Sequence, residues 1–141
     1  MFKSVCLIGA VLVLASPALA DTSCGTAPIA PAITAPSDLS GKTTDEAHTL
    51  ALGALKSVKA YQATLSSFRE CLVTQTNALK ASLASAKDDK AKQATTEQMT
   101  TMQAAYDKTV DTETQVVTDY SNLHTAYCKM GDGLAGCAKP K

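Results

Sequence analysis

His48 and His124 are the only histidines in the sequence, and any chemistry in this chain has to be sought there first. Both fall at the same position of the heptad pattern described below, one step outside the helix–helix seam. In a chain folded back on itself they meet at the open end, where two imidazoles offer nitrogen ligands to a transition metal. The plainer reading is two exposed polar side chains, and no metal is assigned. Met99, Met102 and Met130 have the soft sulfur that copper favours, but all three occupy seam positions, where filling a core explains them better. Tyr61, Tyr106, Tyr120 and Tyr127 are seam residues for the same reason. The carboxylates are scattered along solvated faces. With no Ser–His–Asp order, glycine-rich phosphate loop or paired-acid site to defend, the expectation is a protein that is not an enzyme and needs no cofactor.

Cysteine supplies the other reactive groups. Cys24, Cys71, Cys128 and Cys137 lie beyond the first twenty residues, and an even number in an exported chain predicts two disulfides with three pairings open. No pair has the C-x2-C spacing of a zinc site. Cys128 and Cys137 are nine residues apart around Gly131, Gly133 and Gly136, close enough for a local staple.

Export itself is inferred from residues 1–20. Lys3 gives a positive start, Val5 to Leu14 is an apolar core of signal-peptide length, and Ala18-Leu19-Ala20 supplies the small-x-small pattern for cleavage before Asp21. The apolar run is shorter than the ~20 residues of a membrane span. No second span follows, so the expected mature chain is periplasmic or secreted, without a membrane segment. Cleavage removes Cys6 and leaves thirteen acids against twelve bases. One net negative charge argues against nucleic acid or an anionic membrane as partner. Few aromatics and no tryptophan among many Ala, Thr and Ser residues predict a narrow helix–helix seam rather than a thick core.

The elements that must position these residues follow from a 77-residue stretch, Ala54 to Met130, with neither glycine nor proline. That is too long for an ordinary helix, and two helices folded on each other are expected. Thr43 opens the first, making a capping box with Glu46, while Asp45 favours the helix dipole. One seam row is Ala51, Val58, Leu65, Leu72, Leu79, Ala86; the other is Ala47, Ala54, Tyr61, Phe68, Gln75, Ser82. Alternating spacings of three and four mark a coiled coil. A second frame carries Met99, Tyr106, Glu113, Tyr120, Tyr127 and Met102, Thr109, Val116, Leu123, Met130. It is out of phase with the first by one residue, which suits a turn better than a continuous rod.

An antiparallel pairing with a constant residue sum of 174 sets Ala47 against Tyr127, Val58 against Val116 and Leu72 against Met102. It places the turn at Lys87, inside Lys87-Asp88-Asp89-Lys90. Tyr61 opposite Glu113 and Leu65 opposite Thr109 are poor pairs, so the middle of the seam is not expected to be dry. The predicted organisation is a signal peptide at 1–20, an extended arm at 21–42, an all-α antiparallel two-helix coiled-coil hairpin at 43–130 with its turn near 87–90, and a Gly-rich tail at 131–141. Pro28, Pro31 and Pro36 keep the arm from being helical, and Ile29, Ile33 and Leu39 give it apolar grip. Gly131 is expected to end the second helix.

The flanks of the hairpin differ. Ser57, Thr64, Cys71 and Ala78 beside Ala105, Thr112 and Ala126 form a groove of small side chains that suits the arm. On the other flank Leu55, Leu83, Val110 and Val117 widen each apolar stripe beyond what two helices cover, and they form the candidate interaction face for a protein partner or a second copy.

Cys24, the spaced prolines, Val58-Lys59-Ala60-Tyr61 and then Cys71-Leu72 resemble small exported proteins of Gram-negative bacteria that have no established activity. The resemblance covers about the first half of the mature chain, and the Cys128/Cys137 tail departs from it. It implies export and a Cys24–Cys71 link. Chain lengths agree: the arm from 24 to 43 reaches roughly 60 Å at ~3.1 Å per residue, against about 40 Å of helix from Thr44 to Cys71 at ~1.5 Å per residue. Cys71–Cys128 is incompatible with the hairpin, since Cys71 lies level with Ala105, more than about 30 Å away. Cys24–Cys71 and Cys128–Cys137 are therefore the expected bridges. The function expected is a non-catalytic structural or protein-interaction module of the cell envelope. The alternative is a small metal- or ligand-binding periplasmic protein using His48 and His124.

Overall fold

The computed structural model describes residues 24–137, so the predicted signal peptide, its cleavage point and the last four residues of the tail lie outside it. Two long helices, α1 (Thr44–Ser85) and α2 (Asp89–Cys128), pack along each other as a hairpin, preceded by the arm and followed by a short tail. The helix expectation holds at the first residue. Thr43 is the N-cap of α1, its hydroxyl accepting from the Glu46 amide, while the Glu46 carboxylate accepts from the Thr43 amide at 2.7 Å.

Threonine is not a strong helix former, yet α2 is rich in it. Thr96, Thr100, Thr101, Thr114 and Thr118 each donate their hydroxyl to the carbonyl four residues back, which satisfies the side chain without leaving the helix. Gln93–Glu97, Gln103–Asp107 and Gln115–Asp119 add hydrogen bonds at i,i+4, worth about 0.2–0.5 kcal/mol per pair.

The turn between the helices is short and uses no glycine. Ala86 leaves α1 with φ −66° and ψ 128°, and Asp88 enters α2 with φ −113° and ψ 152°, extended values open to any residue. Asp88 then caps α2, its carboxylate accepting from the Ala91 amide at 2.8 Å. The reversal spans residues 86–88, where the heptad frames change phase.

Both expected disulfides are present, Cys24–Cys71 and Cys128–Cys137, with Cα separations of 5.7 and 5.6 Å. The first returns the arm along α1, and it makes a third layer over the open half of the seam. Ala30 and Ile33 pack against Val58, Tyr61, Leu65 and Val116. Leu39 is buried with Ala47, Ala51, Leu123 and Tyr127.

Three features of the flanking segments differ from expectation. Ile29 does not grip the hairpin; it is 93% exposed. Residues 28–35 follow the three-residue period of a polyproline II strand: 29, 32 and 35 face water while 30 and 33 pack inward. Ile29 and Ile33 are four apart and so cannot share an edge. Second, Pro36–Leu39 forms a 3-10 turn, because Pro36 sits at its first position, where a missing N–H costs nothing. Third, α2 ends at Cys128, with the Lys129 amide donating to the Thr125 and Ala126 carbonyls. In the tail the left-handed glycines are Gly133 (φ 71°) and Gly136 (φ 83°), and Gly131 is not among them.

Burial is uneven along the seam. The buried residues of α1 run from Ala47 to Leu72 and those of α2 from Thr109 to Tyr127. Leu79, Leu83, Met99 and Met102, nearer the turn, are only half-buried. The dry core therefore stops at the level of Cys71, where the arm is tied, because two helices alone cannot enclose their own stripe.

Candidate functional site

Two clusters of polar and aromatic side chains stand out on the hairpin. The first closes the middle of the seam. Arg69, the sole arginine, reaches from α1 to α2, where Nη1 donates to Glu113 Oε2 at 2.6 Å and Nε donates to Thr109 Oγ1 at 2.8 Å. Thr109 is buried and passes its own proton to the Tyr106 carbonyl at 2.6 Å. Gln62 Nε2 completes Glu113 at Oε1, 2.8 Å away. The guanidinium carbon lies 5.6 Å from the centre of the Tyr106 ring.

The electrostatics define what this cluster does. Hydrogen bonds from Arg69 and then Gln62 hold the Glu113 carboxyl below its ordinary range. Tyr61, buried next to them, has its phenol pushed up, chiefly by desolvation. A general base at neutral pH needs a raised carboxylate pKa, and Glu113 is shifted the other way with both oxygens already engaged. The cluster is a cross-brace. Thr109 and Glu113 were visible in the sequence as polar residues on seam positions. Their partner was not, although a single arginine one step off the seam was the available signal.

The second cluster lies at the open end. His48 stacks on Tyr127, with ring centres 5.6 Å apart and planes 14° from parallel. His124 tilts against Tyr120 at 5.8 Å and against Tyr127 at 6.2 Å. The two histidines share Tyr127 as a neighbour, and the Tyr127 hydroxyl donates to the Ala135 carbonyl at 3.4 Å. His124 has a second neighbour that the heptad did not reveal: its ring nitrogens are 3.8 and 3.9 Å from Cys128 Sγ. The i,i+4 spacing of His124 and Cys128 was the missed signal.

The methionines separate. Met130 packs against the open-end core, and Met102 lies beside the Thr76 hydroxyl at 3.8 Å in the turn half. On the flank of Leu55, Leu83, Val110 and Val117, the two leucines are half-buried while Val110 and Val117 are each 40% exposed. Leu52 and Val73, on the neighbouring row of α1, are more exposed still. Gln62 and Arg69 occupy the same row as Leu55 and Leu83, so the brace divides this flank into two apolar portions. Among the described residues, no helix is long and apolar enough to cross a membrane.

No protein-family model matches the chain, and neither does any curated protein or solved structure compared with it.

Proposed function

We propose that this protein is an exported, non-catalytic interaction module of the cell envelope, a stapled helical hairpin that presents one flank to a protein partner. Two disulfides in a small helical chain support an oxidising compartment. The resemblance of the Cys24 arm and the α1 segment to small exported proteins of Gram-negative bacteria points the same way. The observation that carries the reading is the exposure of Val110 and Val117, 40% each, two turns apart on the same row of α2. Val73 of α1 lies on the same side, lining one groove with Arg69, Tyr106 and Glu113. Apolar side chains around a fixed ion pair give both area and orientation to a contact.

The test is the double substitution Val110→Lys and Val117→Lys. It leaves the seam untouched, so circular dichroism should report the parent's helix content. Association, whether with an envelope protein in a crosslinked extract or with a second copy by light scattering, should disappear. A parent that is monomeric at high concentration and crosslinks to nothing, or a variant that associates like the parent, would overturn the reading.

A further inference from the structure

The geometry points to a masked metal site at the end of α2: we propose that reducing the Cys128–Cys137 bridge creates a three-ligand site, Cys128 Sγ, Cys137 Sγ and a His124 ring nitrogen, for a thiophilic d10 cation such as Zn2+ or Cu+. Among the described residues, these three form the one set of His, Cys, Asp or Glu side chains that converges, with all ligand atoms within 4.8 Å of one another. His124 and Cys128 are adjacent on the last turn of α2, and their ligand atoms are 3.8–3.9 Å apart. Tetrahedral zinc with ordinary Zn–S and Zn–N bonds sets such a pair roughly 3.5 Å apart. The pair is already within a few tenths of an ångström of ligand spacing.

The third ligand is held near by more than the bridge. Leu134 packs into the open-end core, the Cys137 amide donates to the Leu134 carbonyl at 3.1 Å, and Tyr127 bonds the Ala135 carbonyl. The tail therefore keeps Cys137 beside Cys128 when the sulfurs part. A surface depression of about 410 Å3 lies against the bridge, with Lys129 and Asp132 among its walls, so a small reductant and a cation both have access. Gly136 passes close to the imidazole, where a β-carbon would make only an ordinary contact 3.7 Å from His124 Nε2, and its φ of 83° is what favours glycine at this position.

The chemistry balances with a dithiol as reductant. One of its thiolates attacks a bridge sulfur, the S–S bond breaks, and the mixed disulfide resolves to the reductant's own disulfide. Two electrons and two protons are left on Cys128 and Cys137 as thiols. The cation then displaces both protons and takes up two thiolates and the neutral imidazole. Water completes a zinc site, whereas Cu+ is content with three ligands. His124 is the next residue on the row of Val110 and Val117, so the site adjoins that flank, but the proposal does not rest on what the flank binds.

Zn2+ titration of the full mature chain, oxidised and reduced, against a chromophoric chelator tests the proposal. The reduced protein should bind one equivalent at least about 100-fold more tightly than the oxidised protein. Co2+ should give a thiolate-to-cobalt charge-transfer band only after reduction. His124→Ala should weaken Zn2+ binding by roughly tenfold or more. In the reduced parent, Zn2+ should protect Cys128 and Cys137 from alkylation but leave Cys24 and Cys71 open, a measurement that needs no variant. Equal Zn2+ binding before and after reduction, no effect of His124→Ala, or protection that follows Cys24 and Cys71 would each overturn it.

Discussion

Arg69 and Glu113 join α1 to α2 with a 2.6 Å ion pair, at the level where the dry part of the seam ends. The guanidinium uses Nε on Thr109 and Nη1 on Glu113, so a single side chain engages two successive turns of α2. A one-residue slip of the helices would break both bonds. The pair fixes register more than it adds stability, because desolvating the guanidinium offsets much of the attraction, and Arg69 Nη2 is buried with no hydrogen-bond partner among the described residues.

Arg69→Ala should accordingly cost about 1–2 kcal/mol, since Glu113 and the buried Thr109 hydroxyl both lose a donor while water reaches the pair in part. Arg69→Lys should recover less than half, having no fork to span the two acceptors. Urea unfolding followed by circular dichroism measures both.

Acid should expose the same brace. A carboxyl whose pKa is lower folded than unfolded adds stability that is fully present above the unfolded value and is lost as pH falls through the folded one. Glu113 is such a group, lowered from 4.5 first by Arg69 and then by Gln62. The parent's melting temperature should therefore fall below about pH 4.5, and Glu113→Gln should flatten that fall while lowering the plateau at neutral pH. Glu46, also lowered through the Thr43 capping box, keeps some acid sensitivity in the variant. Identical acid limbs for parent and variant would refute the assignment.

The two disulfides should differ in what they contribute. Cys24–Cys71 spans 47 residues and Cys128–Cys137 only 9. Loop-closure entropy assigns them about 4 and about 2.5 kcal/mol respectively. Paired Cys→Ser variants compared by urea denaturation should preserve that order. The Cys24→Ser, Cys71→Ser variant should also expose Ala51, Val58 and Leu65 to a hydrophobic dye as the arm lifts.

Within the arm, the inward and outward edges give opposite outcomes. Ile33 touches both buried clusters, and Ile33→Ser should cost about 1–3 kcal/mol. Ile29→Ser, at a side chain 93% exposed, should change stability by less than about 0.5 kcal/mol. Chemical denaturation of the two variants side by side decides it.

The hairpin was legible because its signals are local and periodic. Thr43 and Glu46 announce the first cap, the alternating threes and fours locate both seam rows, and their phase change marks residues 86–88. Depth of burial was not legible. Leu79 and Met99 have the same heptad credentials as Leu65 and Leu123, yet only the latter lie beneath the arm. The edge that Ile29 presents depends on a three-residue period that side-chain type does not encode. Arg69 was missed because a long side chain one step off the seam can cross it, and spacing describes where a residue starts rather than where its charge arrives. For His124 the i,i+4 neighbour Cys128 was legible and overlooked, whereas the approach of Cys137 through the bridged tail is a tertiary fact.

The connectivity of the bridges has a consequence for biosynthesis. In chain order the described cysteines are Cys24, Cys71, Cys128 and Cys137, and each bridge joins one to the next. Among these four, a chain oxidised as it emerges, amino terminus first, would offer each cysteine its correct partner before the later ones, with Cys6 of the sequence lying upstream of them all. In such a chain Cys24 and Cys71 can close before Cys128 appears, which leaves the last two for each other. Maturation can run to the native pairing on an oxidant alone, with no step that shuffles one bridge into another.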